Sequence, residues 1–458
     1  MAVPFHIPSL PKPQNQYNFH VDNTNTPYTH PRLPKYGSRT IHPATAFDPL
    51  EFAFKPFGAP VSPSKPAPIE STPFKFIETV DDLCYLATKL SESSEFAVDL
   101  EHNVYRSFQG MTCLMQISTR REDFVVDTLK LREHIGDYLG EFFQEASKRK
   151  VMHGASNDVL WLQRDFGIYV CNLFDTMQAS RVMKLERNSL DFLLKYYCGV
   201  TANKEYQTSD WRLRPLPCTM LKYARDDTHY LLYIYDMMFK NLNSENAQNE
   251  YEYDNPLGQV YFKSYEVCTQ LYKKELFNYE TSYLNLYGLS EANLDAKQLE
   301  IVAMLCEWRD RIARKEDEST GYVLPNKLIL EIARKLPSTQ EDFLELVGYN
   351  NNYIIRYAAR IVEAIRVLFH RRGDCVMFQD VAKKLKNKVP VSEVAATIIQ
   401  QKERCNSQVV KRFPAGHLMA MNSNYRLFFN TRVCFQPTFA VPCYAYQVVP
   451  VVPGYVMY

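Results

Sequence analysis

The sequence predicts an α/β domain, with a mixed sheet between helical layers, followed by an all-α helical bundle. Strand and helix patterns alternate from Phe74 to about Lys240, and the strands lie mainly at the start of that region. Only helical periodicity follows, from about Leu294 to Phe369. Short breaks separate those later helices, at Gly321, Pro325, Pro337 and Gly348. Short breaks of this kind between helices are typical of a small helical bundle.

Length and composition agree with this organisation. The chain has 458 residues, which favours two domains with irregular segments, and it is 46% hydrophobic and 23% charged, as soluble globular proteins are. The formal net charge is only +1. Nucleic-acid binding therefore has to be argued from a local site, because the overall charge does not predict it.

The cysteine pattern and the N-terminus exclude several classes of protein. Eleven cysteines occur without any C-x-x-C pair, which argues against a zinc ribbon or a thioredoxin-like centre. No secretory signal opens the chain, and no run of about 18 apolar residues predicts a membrane span. We therefore expect no membrane association, and reduced thiols in the nucleus or cytosol.

The elements of the α/β region follow in order. Residues 1–75 are predicted to form an extended Pro-rich arm, whose aromatic side chains anchor it to a folded surface. The helix VDDLCYLATKL then leads into the strand EFAVDLEH, and CLMQIST and DFVVDT continue as a meander. An amphipathic helix, LREHIGDYLGEFFQEASKRK, precedes the strand KVMHG. Four helical stretches end the region: SNDVLWLQRDFG, TMQASRVMKL, SLDFLLKYYCG and LPCTMLKYARDDTHYLLYIYDMMFK.

These patterns predict the domain boundaries. After the arm, residues 76–241 form the α/β domain, and residues 242–293 form a polar linker and connecting helices. The bundle occupies residues 294–370. Residues 371–458 form a tail that is first modestly basic (KKLKNK) and then aromatic, and its fold cannot be assigned.

Two acids on one strand are the first candidates for a functional site. Strand alternation places Asp99 and Glu101 on the same face, where two carboxylates repel each other. A solvent-facing edge strand would tolerate the pair, but Phe96, Val98 and Leu100 indicate a buried strand. We therefore expect the two acids at the end of a buried strand.

Two helices supply the remaining candidates. Ser156 is predicted as a helix N-cap, which places Asp158 in the first turn, although complementing the helix dipole would also explain an aspartate there. Tyr223 and Asp227 are four residues apart on a strong helix and share a face. A surface aspartate beside a half-buried tyrosine is the plainer explanation of that pair.

In combination, four carboxylates on one strand and two helices have a specific chemical meaning. Their oxygen atoms can hold two hard divalent cations, about 4 Å apart, with positions left for phosphate oxygens and water. Tyr223 would then orient a metal-bound water that attacks the phosphate. The phenol of Tyr223 has a pKa near 10, and it need not accept the proton of this water fully, because the metal already acidifies the water.

Three segments carry a family resemblance: VDLEH, HGASNDVLWLQRDFG and YARDDTHYLL. They resemble the exonuclease motifs of the DEDD superfamily in its tyrosine-containing subclass. The intervening sequence is similar to the RNase D-like exoribonuclease of the eukaryotic nuclear exosome. Residues 294–369, with CEWRDRIARKEDESTGYVLPN, resemble an HRDC domain. The resemblance covers roughly residues 70–370.

The resemblance implies a fold, an activity and a location. The fold is an RNase H-like αβα sandwich with a mixed sheet, followed by an HRDC bundle. The activity is release of nucleoside 5′-monophosphates from the 3′ ends of single-stranded RNA, with two Mg²⁺ or Mn²⁺ ions as cofactors. The implied setting is exosome-linked RNA processing and decay, including rRNA maturation, in the nucleus and its nucleolus, with the exosome core as partner.

The resemblance also implies the roles of individual residues. The implied metal ligands are Asp99, Glu101, Asp158 and Asp227, and Tyr223 is the implied water-orienting residue. Residues that flank these motifs are candidates for binding the substrate: His102, Asn157, Trp161, Lys204 and Gln207.

Two features set this chain apart from the larger members of that family. About 75 residues precede the predicted catalytic domain, too few for an N-terminal cofactor-binding domain, so no partner is expected there. The HRDC-like block is nearly charge-balanced, so we expect it to pack beside the exonuclease and shape the substrate channel.

Two alternative functions stay open at this point. One is a DNA 3′→5′ exonuclease, since neither the metal ligands nor an HRDC module distinguishes the two sugars. The other is a catalytically inactive RNA-binding scaffold, which would be expected to have lost one or more of the acids that this sequence keeps.

Overall fold

The computed structural model describes residues 3–33, 35–36, 39–54, 63–244, 255–349, 351–371 and 376–400. The chain divides into two compact units, residues 1–395 and 396–458. In the second unit, residues 396–400 are described, and they are helical. Among the described residues, no helix is long and apolar enough to cross a bilayer.

A mixed six-stranded sheet forms the centre of the first unit, as predicted. Its strands are β1 (Phe74–Ile77), β2 (Glu95–Asn103), β3 (Met111–Ser118), β4 (Asp123–Asp127), β5 (Arg149–Met152) and β6 (Leu173–Asp175). The spatial order is β1-β4-β3-β2-β5-β6. β2, β3 and β4 form the predicted antiparallel meander, whereas β1 pairs with β4, and β5 with β2 and β6, in parallel.

Helices follow or separate the strands of this sheet. They are α1 (Val80–Ser91), α2 (Arg132–Gln144), α3 (Asp158–Phe166), α4 (Thr176–Val182), α5 (Leu190–Leu193), α6 (Cys218–His229), α7 (Leu231–Ser244) and α8 (Pro256–Cys268). A π-helical turn, Leu194–Cys198, continues directly from α5. α1 begins with a capping box in which Thr79 and Asp82 satisfy each other's backbone N–H groups.

The two faces of β2 point into different cores. Phe96, Val98 and Leu100 belong to a cluster that also contains buried side chains of α1, α2 and α3. Ala97 belongs to a second cluster, formed with α4, α7 and α8. Since strand side chains alternate, Asp99 and Glu101 lie on the Ala97 face of the sheet.

Two sequence expectations about these helices were wrong in detail. α3 begins at Asp158 with Asn157 as its N-cap, and no side chain caps it, so Ser156 is not the cap. The long helix predicted through residues 216–240 is two helices, because it breaks at Tyr230 between α6 and α7. The ring of Tyr230 is buried in the second core, where it packs with Leu231 and Ile234.

The connecting region was also only partly predicted. Residues 257–290 were expected to be helical, but α8 ends at Cys268 and one 3₁₀ turn, Ser282–Asn285, follows. Part of the polar linker falls outside the described residues.

The helical bundle that follows was predicted correctly as all-α. Its helices are α9 (Ala296–Glu316), α10 (Thr320–Val323), α11 (Asn326–Lys335), α12 (Gln340–Val347) and α13 (Asn352–His370), and α14 (Val376–Lys386) packs against α9. The basic KKLKNK segment thus lies at the end of α14, where Val381 and Leu385 are buried. The aromatic tail from residue 401 onwards lies outside the described residues.

The arm is more structured than an extended segment. Short helices occur at Pro13–Gln16 and Pro49–Phe54, and Phe19 and Phe52 are buried in the cores of the α/β region. The arm also contacts the bundle, since Lys12 Nζ donates to the carbonyl oxygens of Glu316 and Asp317 at 2.6 and 2.8 Å.

Candidate active site

Three carboxylates converge where β2 faces helix α6. One oxygen from each of Asp99, Glu101 and Asp227 can be chosen so that all three lie within 4.8 Å of one another. Asp99 and Glu101 come from β2, and Asp227 comes from the third turn of α6. The strand alternation and the helical spacing therefore bring distant acids to one point.

Asp158 completes the group from the N-terminus of α3. Its side chain is buried, and it acts electrostatically on Glu101, as Asp99 acts on Asp158. Burial raises the pKa of all four acids, and repulsion from neighbouring carboxylates raises it further for Glu101, Asp158 and Asp227. For Asp99, burial raises the pKa to about 7.

The four acids have no ion-pair partner in the part of the chain that the structure describes: no lysine, arginine or histidine there forms an ion pair with any of them. A buried, mutually repelling set of carboxylates is costly unless cations neutralise it. This donor set fits hard divalent ions such as Mg²⁺ or Mn²⁺, which prefer oxygen ligands.

Tyr223 lies one helical turn before Asp227 on the same face of α6, and the carboxylate of Asp227 acts electrostatically on its phenol. Burial and the charges of Asp227, Glu101 and Asp99 raise the pKa of the Tyr223 phenol far above its usual value. The phenol therefore stays protonated and serves as a hydrogen-bond donor. Its ring lies 5.8 Å from Trp211 and 6.0 Å from Tyr206 between centroids.

Helix α6 is fixed to the sheet by a buried polar network. His229 Nδ1 lies 2.9 Å from Asp123 Oδ2, and Arg225 donates to the same oxygen at 3.0 Å. Ser118 Oγ and Thr228 Oγ1 share a hydrogen bond of 2.8 Å. Because Thr228 follows Asp227 directly, this network holds the carboxylate in place.

The predicted substrate-binding residues divide into two groups. His102 and Trp161 lie together: their rings stack at 4.0 Å with an interplanar angle of 5°, so one face of Trp161 is covered. Asn157 is exposed at the start of α3. Lys204 and Gln207 are exposed on a separate loop, where Lys204 Nζ lies 2.8 Å from Asp191 Oδ2.

His102 is held by contacts on several sides. Arg164 Nη2 lies 3.0 Å from His102 Nε2, and arginine can only donate, so Nε2 accepts and Nδ1 carries the hydrogen. Burial lowers the pKa of His102 to about 3. A Cβ at Gly110 would come within 2.3 Å of the imidazole Cε1, so this position has to be glycine.

Comparison with known proteins identifies the family. Residues 74–243 match a family model described as 3′-5′ exonuclease, and residues 298–365 match the HRDC domain model. The crystal structure of the catalytic core of RRP6 from Trypanosoma brucei aligns with a TM-score of 0.70 and 34% identity. The alignment covers 79% of this chain and 99% of that core.

The chain belongs to the RRP6 family. Among the RRP6-type relatives, Protein RRP6-like 1 of Arabidopsis thaliana is 53% identical over 407 residues, which are 88% of this chain and 63% of the relative. Exosome complex component 10 of Homo sapiens is 50% identical over 281 residues, 60% of this chain and 31% of the relative. The chain spans 42% of Protein RRP6-like 2 of Arabidopsis thaliana, and it covers less than two thirds of each of these relatives.

The RRP6-type site also depends on residues that the sequence alone did not single out. Asp175 is buried, and its carboxylate accepts from the backbone N–H groups of Gly154, Ala155 and Met177 at 2.8, 3.1 and 2.8 Å. It thereby fixes the turn that leads to Asp158. An aspartate between a short apolar run and a helix could have indicated this capping role.

Gln116 is the second residue of this kind. It lies opposite Asp99 in the β2–β3 register, and its Nε2 lies 3.5 Å from Glu101 Oε1. Its Oε1 is buried without a hydrogen-bond partner in the described structure. A glutamine in the middle of the apolar run CLMQI was the available signal.

Proposed function

We propose that this chain is a metal-dependent 3′→5′ exoribonuclease that releases nucleoside 5′-monophosphates. The observation that carries the proposal is the convergence of Asp99, Glu101 and Asp227 beside Asp158 and Tyr223, in a chain of the RRP6 family. When bound by these carboxylates, two Mg²⁺ or Mn²⁺ ions would supply an acidified water and counter-charge for the leaving 3′ oxygen.

The protein's own residues would position the reacting groups. Asp99, Glu101, Asp158 and Asp227 act as metal ligands, with Glu101 and Asp158 buried and Asp99 and Asp227 half-buried. The protonated Tyr223 hydroxyl orients the attacking water, and its position one helical turn before Asp227 keeps it beside that metal ligand.

The substrate is proposed to be the 3′ end of single-stranded RNA. His102, Asn157, Trp161, Lys204 and Gln207 are proposed to contact the terminal nucleotides. His102 Nδ1–H is available for this because Arg164 occupies Nε2. The relatives named RRP6-like and exosome complex component 10 support RNA as the substrate and the exosome core as the partner.

The setting and the domain limits follow as proposals. We place the activity in exosome-linked RNA decay and processing, including rRNA maturation, in the nucleus and its nucleolus. The exonuclease domain is proposed to span residues 76–241 and the HRDC domain 294–370, joined by residues 242–293. The arm, residues 1–75, and the tail, residues 371–458, flank them.

The test uses the purified full chain with single-stranded RNA and DNA labelled at either end. With Mg²⁺ or Mn²⁺, we expect RNA to shorten from its 3′ end with release of mononucleotides, and a chelator should stop the reaction. A 3′-phosphate should block degradation, because it adds charge where the carboxylates converge, whereas a 5′-phosphate should not. Control of the rate by the 5′ end, or a preference for DNA, would contradict the proposal.

A further inference from the structure

An aromatic pair lies on the surface and has no role in the proposed chemistry. Phe192 on α5 and Tyr196 on the following π-helical turn have ring centroids 5.6 Å apart and an interplanar angle of 21°. Phe192 is half-buried against the second core, whereas Tyr196 is 61% exposed. Tyr197 packs edge-on against Tyr196, at 4.8 Å and 86°. The pair therefore presents one supported ring to solvent.

The backbone under this pair is unusual. Leu194–Cys198 forms a π-helical turn, which ends at Gly199 in the left-handed conformation, with φ 70°. Such turns are rare and occur often at functional sites. This turn presents Lys195 and Tyr196 side by side at the surface, and both are exposed.

The surrounding segment is basic. Residues 181–204 contain five basic side chains and two acidic ones, a net charge of +3, while the whole chain carries only +1. All five basic residues are exposed: Arg181, Lys184, Arg187, Lys195 and Lys204. A basic surface with an exposed aromatic ring is the combination that single-stranded nucleic acids bind, since cations follow the backbone and rings stack on bases.

A short path of contacts joins the pair to the active site. Tyr206 packs its ring against Tyr223 at 6.0 Å. Lys204 begins the 3₁₀ turn Lys204–Tyr206 and forms an ion pair of 2.8 Å with Asp191. Asp191 directly precedes Phe192. Neighbouring residues and contacts thus connect the aromatic pair to the catalytic tyrosine.

We propose that Phe192 and Tyr196 form a stacking platform for an unpaired base of single-stranded RNA, 5′ to the nucleotide in the catalytic centre. The proposal rests on the exoribonuclease function proposed above. Its ligand is RNA because the basic segment and the contacts to Tyr223 both favour a strand that enters the site. The platform binds the strand through base stacking upstream of the terminal nucleotides. It therefore contributes to the affinity for long substrates and not to the binding of the terminal nucleotides.

Binding is measured with the full chain carrying Asp99→Asn, which prevents hydrolysis. The probes are fluorescein-labelled oligoadenylates of about three and about twelve nucleotides, within the range of site sizes of single-strand binders. Tyr196→Ala should weaken binding of the longer probe about tenfold and leave the shorter one unchanged. Tyr196→Phe should keep wild-type affinity, since it keeps the ring. Tyr287→Ala is the matched control, because Tyr287 is an 87% exposed tyrosine elsewhere on the chain.

The active chain gives a second readout. Tyr196→Ala should raise KM for the longer RNA and leave kcat unchanged on the shorter one. Phe192→Ala should show the same pattern more weakly, because Phe192 supports the ring from behind. Circular dichroism confirms that each variant is folded. Equal affinity of Tyr196→Ala and the parent chain for the longer probe would overturn the platform. The same result is expected if this surface binds a protein and not RNA.

The two proposals fail separately. If the wild-type chain hydrolyses no RNA, the exoribonuclease proposal fails, whatever the binding data show. If the wild-type chain degrades RNA, and Tyr196→Ala has the same affinity and the same KM at both RNA lengths, only the platform proposal fails.

Discussion

Tyr223 precedes Asp227 by one turn on the same face of helix α6, and burial together with the charge of the Asp227 carboxylate raises the pKa of the Tyr223 phenol. This arrangement places the candidate water-orienting group beside a candidate metal ligand. Burial and the charges of Asp99 and Asp226 raise the pKa of Asp227. The two side chains are therefore coupled, but they are proposed to perform different tasks.

Tyr223→Phe tests the first of those tasks. The substitution keeps the ring that packs on Trp211 and removes only the hydroxyl. We expect the single-turnover rate to fall by about 10²–10⁴-fold, as for other positioned proton-handling groups, with little change in RNA affinity. Rapid-quench measurements at saturating Mn²⁺ give the rate.

Asp227→Asn tests the second task. It removes an anionic ligand four residues along the same helix face, so the Mn²⁺ concentration at half-maximal activity should rise markedly. For Tyr223→Phe we expect a much smaller rise, since no anionic ligand is lost. If both variants required equally more metal, the tyrosine would be organising the ions.

Asp99→Asn should abolish hydrolysis and stabilise the metal-free protein. Burial raises the pKa of Asp99 to about 7 in the folded chain, against 3.8 for the ordinary side chain. The folded state therefore binds the proton more tightly, and the metal-free chain loses stability as pH rises from about 4 through about 7. The substitution removes this penalty, on the order of 1–4 kcal/mol at pH 8.

The check is thermal unfolding in chelator at pH 5 and pH 8. The gain in Tm of Asp99→Asn over wild type should be larger at pH 8, and it should shrink or reverse when Mn²⁺ is added. Wild-type turnover by the purified variant would contradict the assignment of Asp99 as a metal ligand.

Asp175→Ala should damage the site without touching a metal ligand. The change leaves the backbone N–H groups of Gly154, Ala155 and Met177 without their acceptor, in a buried position. We expect a loss of about 1–3 kcal/mol in the free energy of unfolding and a lower kcat, because the turn before Asp158 loosens. Asp175→Asn keeps a side-chain oxygen that can accept a hydrogen bond, so its stability and kcat should lie between those of wild type and Asp175→Ala. Unchanged kcat in a destabilised Asp175→Ala chain would show that the turn does not control Asp158.

Arg106 and Glu318 should couple the exonuclease region to the bundle. Arg106 Nε and Nη2 donate to the two carboxylate oxygens of Glu318 at 2.9 Å each, and Glu318 is fully buried. Glu318→Gln should cost about 3–5 kcal/mol, because it leaves a guanidinium without its counter-charge. A double-mutant cycle with Arg106→Met should give a coupling of about 1–3 kcal/mol. Additive effects would show that the pair does not join the two regions.

Removal of residues 294–458 extends that test. All five catalytic candidates precede residue 228, so we expect residual activity on short unstructured RNA and impaired activity on structured RNA. The truncation also deletes the partner of Arg106, so the remaining chain should unfold at a lower temperature. A folded but fully inactive fragment would show that the bundle contributes to the catalytic centre.

The sequence by itself determined the α/β class, the meander and the bundle, because hydrophobic periodicity and turn residues are local signals. It also singled out Asp99, Glu101, Asp158, Tyr223 and Asp227, since the chemistry of paired acids is visible in residue type and spacing. The roles of these residues remain predictions.

Only the tertiary structure decided which groups meet. Strand register places Gln116 opposite Asp99 and beside Glu101. The parallel pairing of β5 with β6 places Asp175 beside the turn before Asp158. The break at Tyr230 depends on where its ring packs in the second core. Each of these contacts joins residues distant in sequence or depends on packing between elements, and no local pattern encodes such a contact.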